Sequence, residues 1–186
     1  MRLIFIGAPG SGKGTQAKLI TQQFGLVYIS TGDIFRKLIN EQGTQLCEKV
    51  KYYLNRGLLV PDDIVLNVFS KVFNDIKFSD GFVLDGFPRT IFQAEQLDII
   101  LKKISQPLDG VINLNVSELD LINRMLQRGR SDDIRETIKQ RLSIFHLQSE
   151  PLKNFYSSKK ILRDIDGNKS VEEVFQDLIK ATKQFI

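Results

Sequence analysis

The sequence is short of the residues from which many protein sites are built. It holds one cysteine, Cys47, and one histidine, His146, in 186 residues. A single cysteine excludes an intrachain disulfide and a cysteine-cluster zinc site, and it suits a reducing compartment. One cysteine and one histidine cannot furnish a four-ligand site, so no structural zinc is expected. His146 sits in a helical pattern with no partner motif, and reads as a packing or surface residue rather than a catalytic base. No apolar run approaches ~18 residues, so no membrane-spanning segment is expected. The basic residues are scattered and form no arm for nucleic acid. Internal repeats and low-complexity segments are absent. The N-terminus runs straight into a strand pattern, Arg2 to Ile6, without the layout of a signal peptide, and a cytoplasmic location is expected.

What is present is ordinary in bulk. Hydrophobic residues make up 42% and charged residues 26% of the chain. A chain of this length can bury one full core without staples, so a monomeric single domain with room for a small insert is expected. The net charge of +4 and pI of about 9.1 suit an anionic ligand.

Five short, nearly continuous apolar runs stand out, at residues 3–7, 26–30, 81–86, 110–116 and 160–166. Such runs fit strands buried on both faces of a parallel sheet. Helical patterns separate them. One runs from Gly14 to Phe24. Another opens with Pro61 at its first position, then Asp62 and Asp63, with Ile64, Val65, Val68, Phe69, Val72 and Phe73 as its apolar face. A third begins at Thr90, with Ile91, Ala94, Leu97 and Leu101 inward. A last one begins at Ser170, where Ser170 and Glu173 have capping-box spacing. The alternation predicts an α/β fold with a doubly wound, five-stranded parallel sheet. One interval is too long for a plain crossover. Before Pro61 it carries breaks at Gly32, Gly43 and Gly57, and reads as a small helical insert standing off the sheet.

The first strand leads into GAPGSGKGT, residues 7–15. This is the pattern of a phosphate-binding loop, G-x-x-x-x-G-K-[ST], with its hydroxyl one residue late. Gly14 fills the usual Ser/Thr slot and Thr15 follows. Glycines let backbone N–H groups converge on an anion, and the helix N-terminus adds partial positive charge. Glycine at 14 permits tighter winding, and Thr15 can still face a magnesium ion or a phosphate oxygen. A tight strand–helix turn would seldom need four glycines and a lysine.

Several further residues carry two readings each. Thr31 and Asp33 can be a helix start, since Ser30 and Asp33 have capping-box spacing, or part of a ligand site. Gln93 stands three residues after Thr90 and can be a capping partner or a recognition residue. Asp85 ends an apolar strand, as a magnesium-linked acid does, or caps the next turn. Arg124 and Arg128 share one helix face. Arg130 and Arg141 are about three helical turns apart and can align as well. Ile134, Ile138, Leu142 and Phe145 read as the buried stripe beside Arg141.

Over essentially its whole length the chain resembles the adenylate kinases, through GAPGSGKGTQA (7–17), ISTGDIFR (29–36), LDGFPRT (84–90) with Gln93, and GRSDD…R (129–141). The resemblance implies a P-loop NTPase-type nucleoside monophosphate kinase that moves a phosphoryl group between ATP and AMP. Gly10, Ser11, Gly12, Lys13, Gly14 and Thr15 would hold ATP phosphates, and Thr15 and Asp85 magnesium, partly through water. Thr31, Arg36, Leu58, Leu59, Val60, Gly86, Phe87, Pro88, Arg89 and Gln93 would hold AMP, with Gln93 at adenine. Arg124 would stack near the ATP base. Arg128 and Arg130 would contact the transferring phosphates, and Arg141 the AMP side. Lys169, equally readable as an exposed turn lysine, matches a position where the family's backbone approaches adenine. Lys13, Arg89, Arg128, Arg130 and Arg141 would form the catalytic set. The resemblance further implies a core of residues 1–29 and 61–186, an AMP-side insert of 30–60, and a vestigial lid turn at 127–133. Many adenylate kinases carry a longer lid, sometimes with zinc cysteines; here only Gly129 separates Arg128 from Arg130. A UMP/CMP kinase is the alternative, since GRSDD with Arg135 resembles that branch. Thr31 and Gln93 weigh against it, because pyrimidine kinases usually show Ala and Asn-type replacements there. Lys13, Asp85 and the arginines weigh against a non-catalytic nucleotide-binding module.

Overall fold

A computed structural model describes residues 1–40, 44–75, 81–130 and 132–185, with residues 72–75 as backbone only. Gly43, Ser131 and the side chains of Val72 and Phe73, all drawn on above, lie outside the described residues.

The chain runs β1 (Arg2–Gly7), α1 (Lys13–Phe24), β2 (Val27–Ser30), α2 (Thr31–Asn40), α3 (Gln45–Asn55), α4 (Asp62–Asp75), β3 (Phe82–Asp85), α5 (Ile91–Lys103), β4 (Gly110–Asn115), α6 (Glu118–Arg128), α7 (Arg135–Ser158), β5 (Leu162–Asp166) and α8 (Val171–Thr182). The strands form one parallel sheet in the order β2-β3-β1-β4-β5. The five apolar runs are these five strands, in an α/β fold as expected.

The sheet explains the runs. Successive side chains of a strand point to opposite faces. Leu3 and Phe5 enter a cluster with Ile20, Val83, Ile112 and Leu178, under α1 and α8. Ile4 and Ile6 enter another with Ile29, Leu84, Val111 and Tyr156, on the opposite face. Both faces of the central strands are covered, so no polar alternation is needed there, while the edge strand β5 is only partly covered and carries Arg163, Asp164 and Asp166. The second cluster runs on without a break into Phe35 of α2 and Val50 of α3.

Three local expectations are corrected. Pro61 stands before α4 rather than in it; its carbonyl accepts the N–H of Val65, and the helix starts at Asp62. Ile91 is 39% and Ile134 55% exposed. Ile91 opens α5 and Ile134 precedes α7. Side chains lean toward a helix N-terminus, so these two project past the end of the buried stripe. The stripes themselves hold through Ala94, Leu97 and Leu101, and through Ile138 and Leu142. Arg130 is in no helix, since α6 stops at Arg128 and Gly129 closes it in the left-handed conformation at φ 64°. Its alignment with Arg141 along one helix therefore fails.

This order puts the site at the switch point. From the central β1, the chain goes one way to β3 and β2 and the other way to β4 and β5. The connections above the carboxyl ends diverge there and leave a crevice.

Candidate phosphoryl-transfer site

The loop after β1 opens into that crevice. Gly10 and Gly12 have φ of 86° and 87°, where a side chain would be strained. At Gly10 a Cβ would also come within 2.7 Å of the Leu121 carbonyl oxygen. Gly12 is the N-cap of α1 and has no side chain to satisfy the first-turn N–H groups. Those donors are directed to whatever anion enters. Lys13 opens the helix, its Nζ donating to the Ala8 carbonyl at 3.2 Å. Its pKa is lowered to about 8, first by burial, against which Asp85 acts, and further by Arg89, Arg128 and Arg130.

The late hydroxyl has a steric reason. A Cβ on residue 14 would stand 3.1 Å from Asp85 Oδ2 and 3.5 Å from the Tyr28 hydroxyl. Serine or threonine there would crowd the carboxylate at the end of β3. Thr15, one residue on, is exposed in the same cleft. Asp85 is buried, and its Oδ2 accepts the Tyr28 hydroxyl at 2.9 Å. Its Oδ1 is buried and meets no hydrogen-bond donor. A carboxylate oxygen without a donor, in a cleft that a threonine also lines, fits magnesium, which takes oxygen ligands and keeps several waters. Among the described residues no group of three His, Cys, Asp or Glu side chains is placed to hold a metal ion.

The arginines are organised by one acid. The Asp133 side chain is fully enclosed. It accepts from Arg128 Nε at 2.9 Å and Nη2 at 2.8 Å, from Arg141 Nη1 at 3.0 Å and from the Arg130 backbone N–H at 3.3 Å. Asp132 pairs with Arg141 as well. Burial alone would raise the Asp133 pKa; the bidentate Arg128 contact prevails and holds it below the usual carboxylate range. Partial desolvation in the cleft lowers the pKa of Arg130, which stays exposed overall, and Arg36 and Arg128 add to the effect. Desolvation likewise lowers that of the exposed Arg89, with Asp85 opposing and Arg141 and Arg36 assisting. Arg89 Nε donates to the Gly86 carbonyl at 2.9 Å.

Most of the predicted residues meet in one cleft of about 620 Å3. Gly10 to Thr15, Arg36, Asp85, Gly86, Arg89, Arg124, Arg128, Arg130 and Lys169 line it. Arg36 is tied to Asp33 at 2.6 Å, and Lys169 to Asp177 at 2.6 Å. Arg124 donates to the Gly167 carbonyl at 3.0 Å. Thr31, Leu58, Leu59, Val60 and Gln93 line a smaller pocket of about 40 Å3, which shares Gly86 and Arg89 with the cleft. Thr31 donates to the Gly86 carbonyl at 2.8 Å, while Ser30 accepts from the Asp33 N–H in the manner of a cap. Pro88 and Arg141 line a third pocket, of about 70 Å3, behind the loop. The Phe87 ring is not brought to the cleft; it is buried and stacks on Phe69 at 4.1 Å.

Sequence reasoning passed over Tyr28 and Asp62, and treated Asp133 only as a neighbour of arginines. Tyr28 meets Asp85 across 57 positions and Asp62 meets Gln93 across 31. No local spacing signals such contacts. The run Asp132-Asp133 between arginines was the one available hint.

A family model for adenylate kinase matches residues 5–161. An adenylate kinase of Leptospira biflexa serovar Patoc is 44% identical over 184 residues, covering 97% of this chain and 98% of the relative. One of Bacteroides fragilis is 40% identical, covering 97% of each. One of Carboxydothermus hydrogenoformans is 40% identical over 215 residues, covering 99% of this chain and all of the relative. That alignment is longer than this chain, so the relative carries residues without a counterpart here. Identity of this order sustained from end to end, over the segments that build the cleft, means that the chain belongs to the adenylate kinase family.

Proposed function

We propose that the protein catalyses reversible, magnesium-dependent phosphoryl transfer from ATP to AMP, giving two ADP, and so serves adenine nucleotide homeostasis and salvage in the cytoplasm. The observation that carries this reading is the meeting of Lys13, Arg36, Arg89, Arg128 and Arg130 in one cleft, between the phosphate loop and a small pocket holding one buried amide. Two polyanions must be pressed together, and phosphoryl transfer is chiefly positioning and charge neutralisation. ATP phosphates lie on Gly10 to Thr15, with the base toward Arg124 and Lys169. Asp85 and Thr15 would hold magnesium, partly through water, and the ion would supply charge neutralisation on the phosphates. AMP lies with its base toward Thr31 and Gln93, its ribose along Leu58 to Val60 and Gly86 to Pro88, and its phosphate at Arg36, Arg89 and Arg141. Arg128 and Arg130 neutralise charge on the moving group. The acceptor oxygen is already ionised, so no general base is required, in keeping with an exposed His146. Nothing observed favours a UMP/CMP kinase.

A coupled turnover assay with AMP, UMP and CMP as acceptors tests this reading. AMP should be preferred in kcat/KM by at least a hundredfold. Equal use of UMP or CMP, or no turnover with AMP, would overturn it.

A further inference from the structure

Gln93 is buried, and both ends of its amide are already engaged. Its Oε1 accepts the backbone N–H of Arg89 at 2.7 Å. Its Nε2 donates to Asp62 Oδ1 at 2.6 Å. The first partner can only donate, and an ionised carboxylate can only accept. The two therefore demand the same orientation of the amide, and turning it over would set donor against donor and acceptor against acceptor. Asp62 is itself fixed. The Thr90 hydroxyl donates to its carboxylate at 3.2 Å and accepts the Gln93 backbone N–H at 3.1 Å. Proton direction along this chain is set at every link.

We infer that Asp62 is a positioning residue that locks the Gln93 amide and thereby sets discrimination between 6-amino and 6-oxo purine monophosphates. This rests on the base-pocket reading proposed above. Each end of the amide keeps one capacity for a ligand, a lone pair on Oε1 and one N–H on Nε2. A 6-amino purine offers a donor at its exocyclic group and an acceptor at N1. The 6-oxo base offers the reverse in nearly the same shape. An amide free to turn over would serve both. A locked amide serves one and leaves buried polar groups unpaired against the other, which is where strong rejection arises. Apolar neighbours such as Phe35, Val60 and Val65 in the same pocket supply contact without this distinction.

The probe is the ratio of kcat/KM for AMP to that for IMP, which differ at the 6-position and N1. Asp62→Ala should lower this ratio about tenfold, and Gln93→Ala should lower it at least as far. A merely structural role for Asp62 would change melting temperature or kcat for both acceptors alike and leave the ratio in place. If Gln93→Ala lowers the ratio and Asp62→Ala keeps it within twofold of wild type, the inference is overturned while the base pocket stands. If Gln93→Ala leaves the ratio unchanged, the base-pocket reading fails and the inference with it. Should Asp62→Ala not fold, Asp62→Val is read in the same way. It is close to the same shape and offers Gln93 Nε2 no acceptor, so the ratio must fall at least threefold, and an unchanged ratio overturns the inference.

Discussion

Lys13 shows what the proposed phosphate site costs the protein. Enclosure among Arg89, Arg128 and Arg130 brings its pKa down to about 8. The unfolded lysine titrates near 10.4, so between pH ~8 and ~10.4 the unfolded state binds more protons and stability rises with pH. Below that window the buried charge is a standing penalty. Lys13→Met should therefore stabilise the protein at pH 7 by about 1–3 kcal/mol, taking 1.36 kcal/mol per pKa unit as the upper bound. The slope of stability with pH above 8 should flatten as well. Turnover should fall by at least a thousandfold, because the same charge serves the transition state. Urea unfolding across pH 7–10, set beside kcat, decides the matter. Loss of stability together with near-normal turnover would contradict both halves. Unliganded wild-type enzyme should also lose kcat/KM as pH rises through about 8, where the lysine gives up its proton.

At the scale of elements, the α6–α7 connection is the point of interest. Asp133 joins the last residue of α6, the turn after it, and Arg141 in the second turn of α7. Removing one partner of an enclosed ion pair leaves charges uncompensated. Asp133→Ala should cost about 2–4 kcal/mol and lower kcat at least tenfold, with Asp133→Asn milder in both. Thermal melts and steady-state rates read this; a variant with wild-type melting and rate would mean the arginines hold themselves in place. The acid's contribution is fully present above its unfolded pKa and is lost as pH falls through the lower folded value. The connection also marks the boundary of what sequence could yield. β1, β3 and β4 were legible because burial on both faces leaves a mark on nearly every residue of a run, whereas β5, at the sheet edge, is only partly covered and was legible from Leu162 and Ile165 alone. Helix caps were legible at Thr90 and Ser170 because a cap is a contact over three positions. Gly14 was legible as a departure but not in its reason, since the crowding carboxylate arrives from β3. Ile91 and Ile134 misled because a periodicity has no marker for where its first turn overshoots the core.

For the molecule as a whole, the insert is the expected moving part. Only Gly129, Arg130 and the residues up to Ile134 join α6 to α7, too few to form a body that swings. On the proposed reading, exclusion of water from the transferring group falls to residues 30–60 and the arginines. Gly57, at φ 68° and close to the Thr137 carbonyl of α7, marks where the insert rejoins the rest. Gly32, by contrast, lies within α2. Hydrogen exchange with and without a bisubstrate dinucleotide should show its largest added protection within residues 30–60. Protection confined to 127–133 would assign the motion to the turn instead.

The enclosed carboxylate of Asp133 has one more consequence, best put in the language of ion exchange. A cleft with several arginines and no ligand would repel itself, and Asp133 with Asp132 acts as a resident counterion for Arg128 and Arg141. A nucleotide phosphate therefore does not meet bare cations. It shares or displaces an anion already bound through the backbone, at an effective concentration no salt in solution can match. Phosphate groups are gripped only as firmly as they outbid that internal anion, which favours release of the product as much as capture of the substrate.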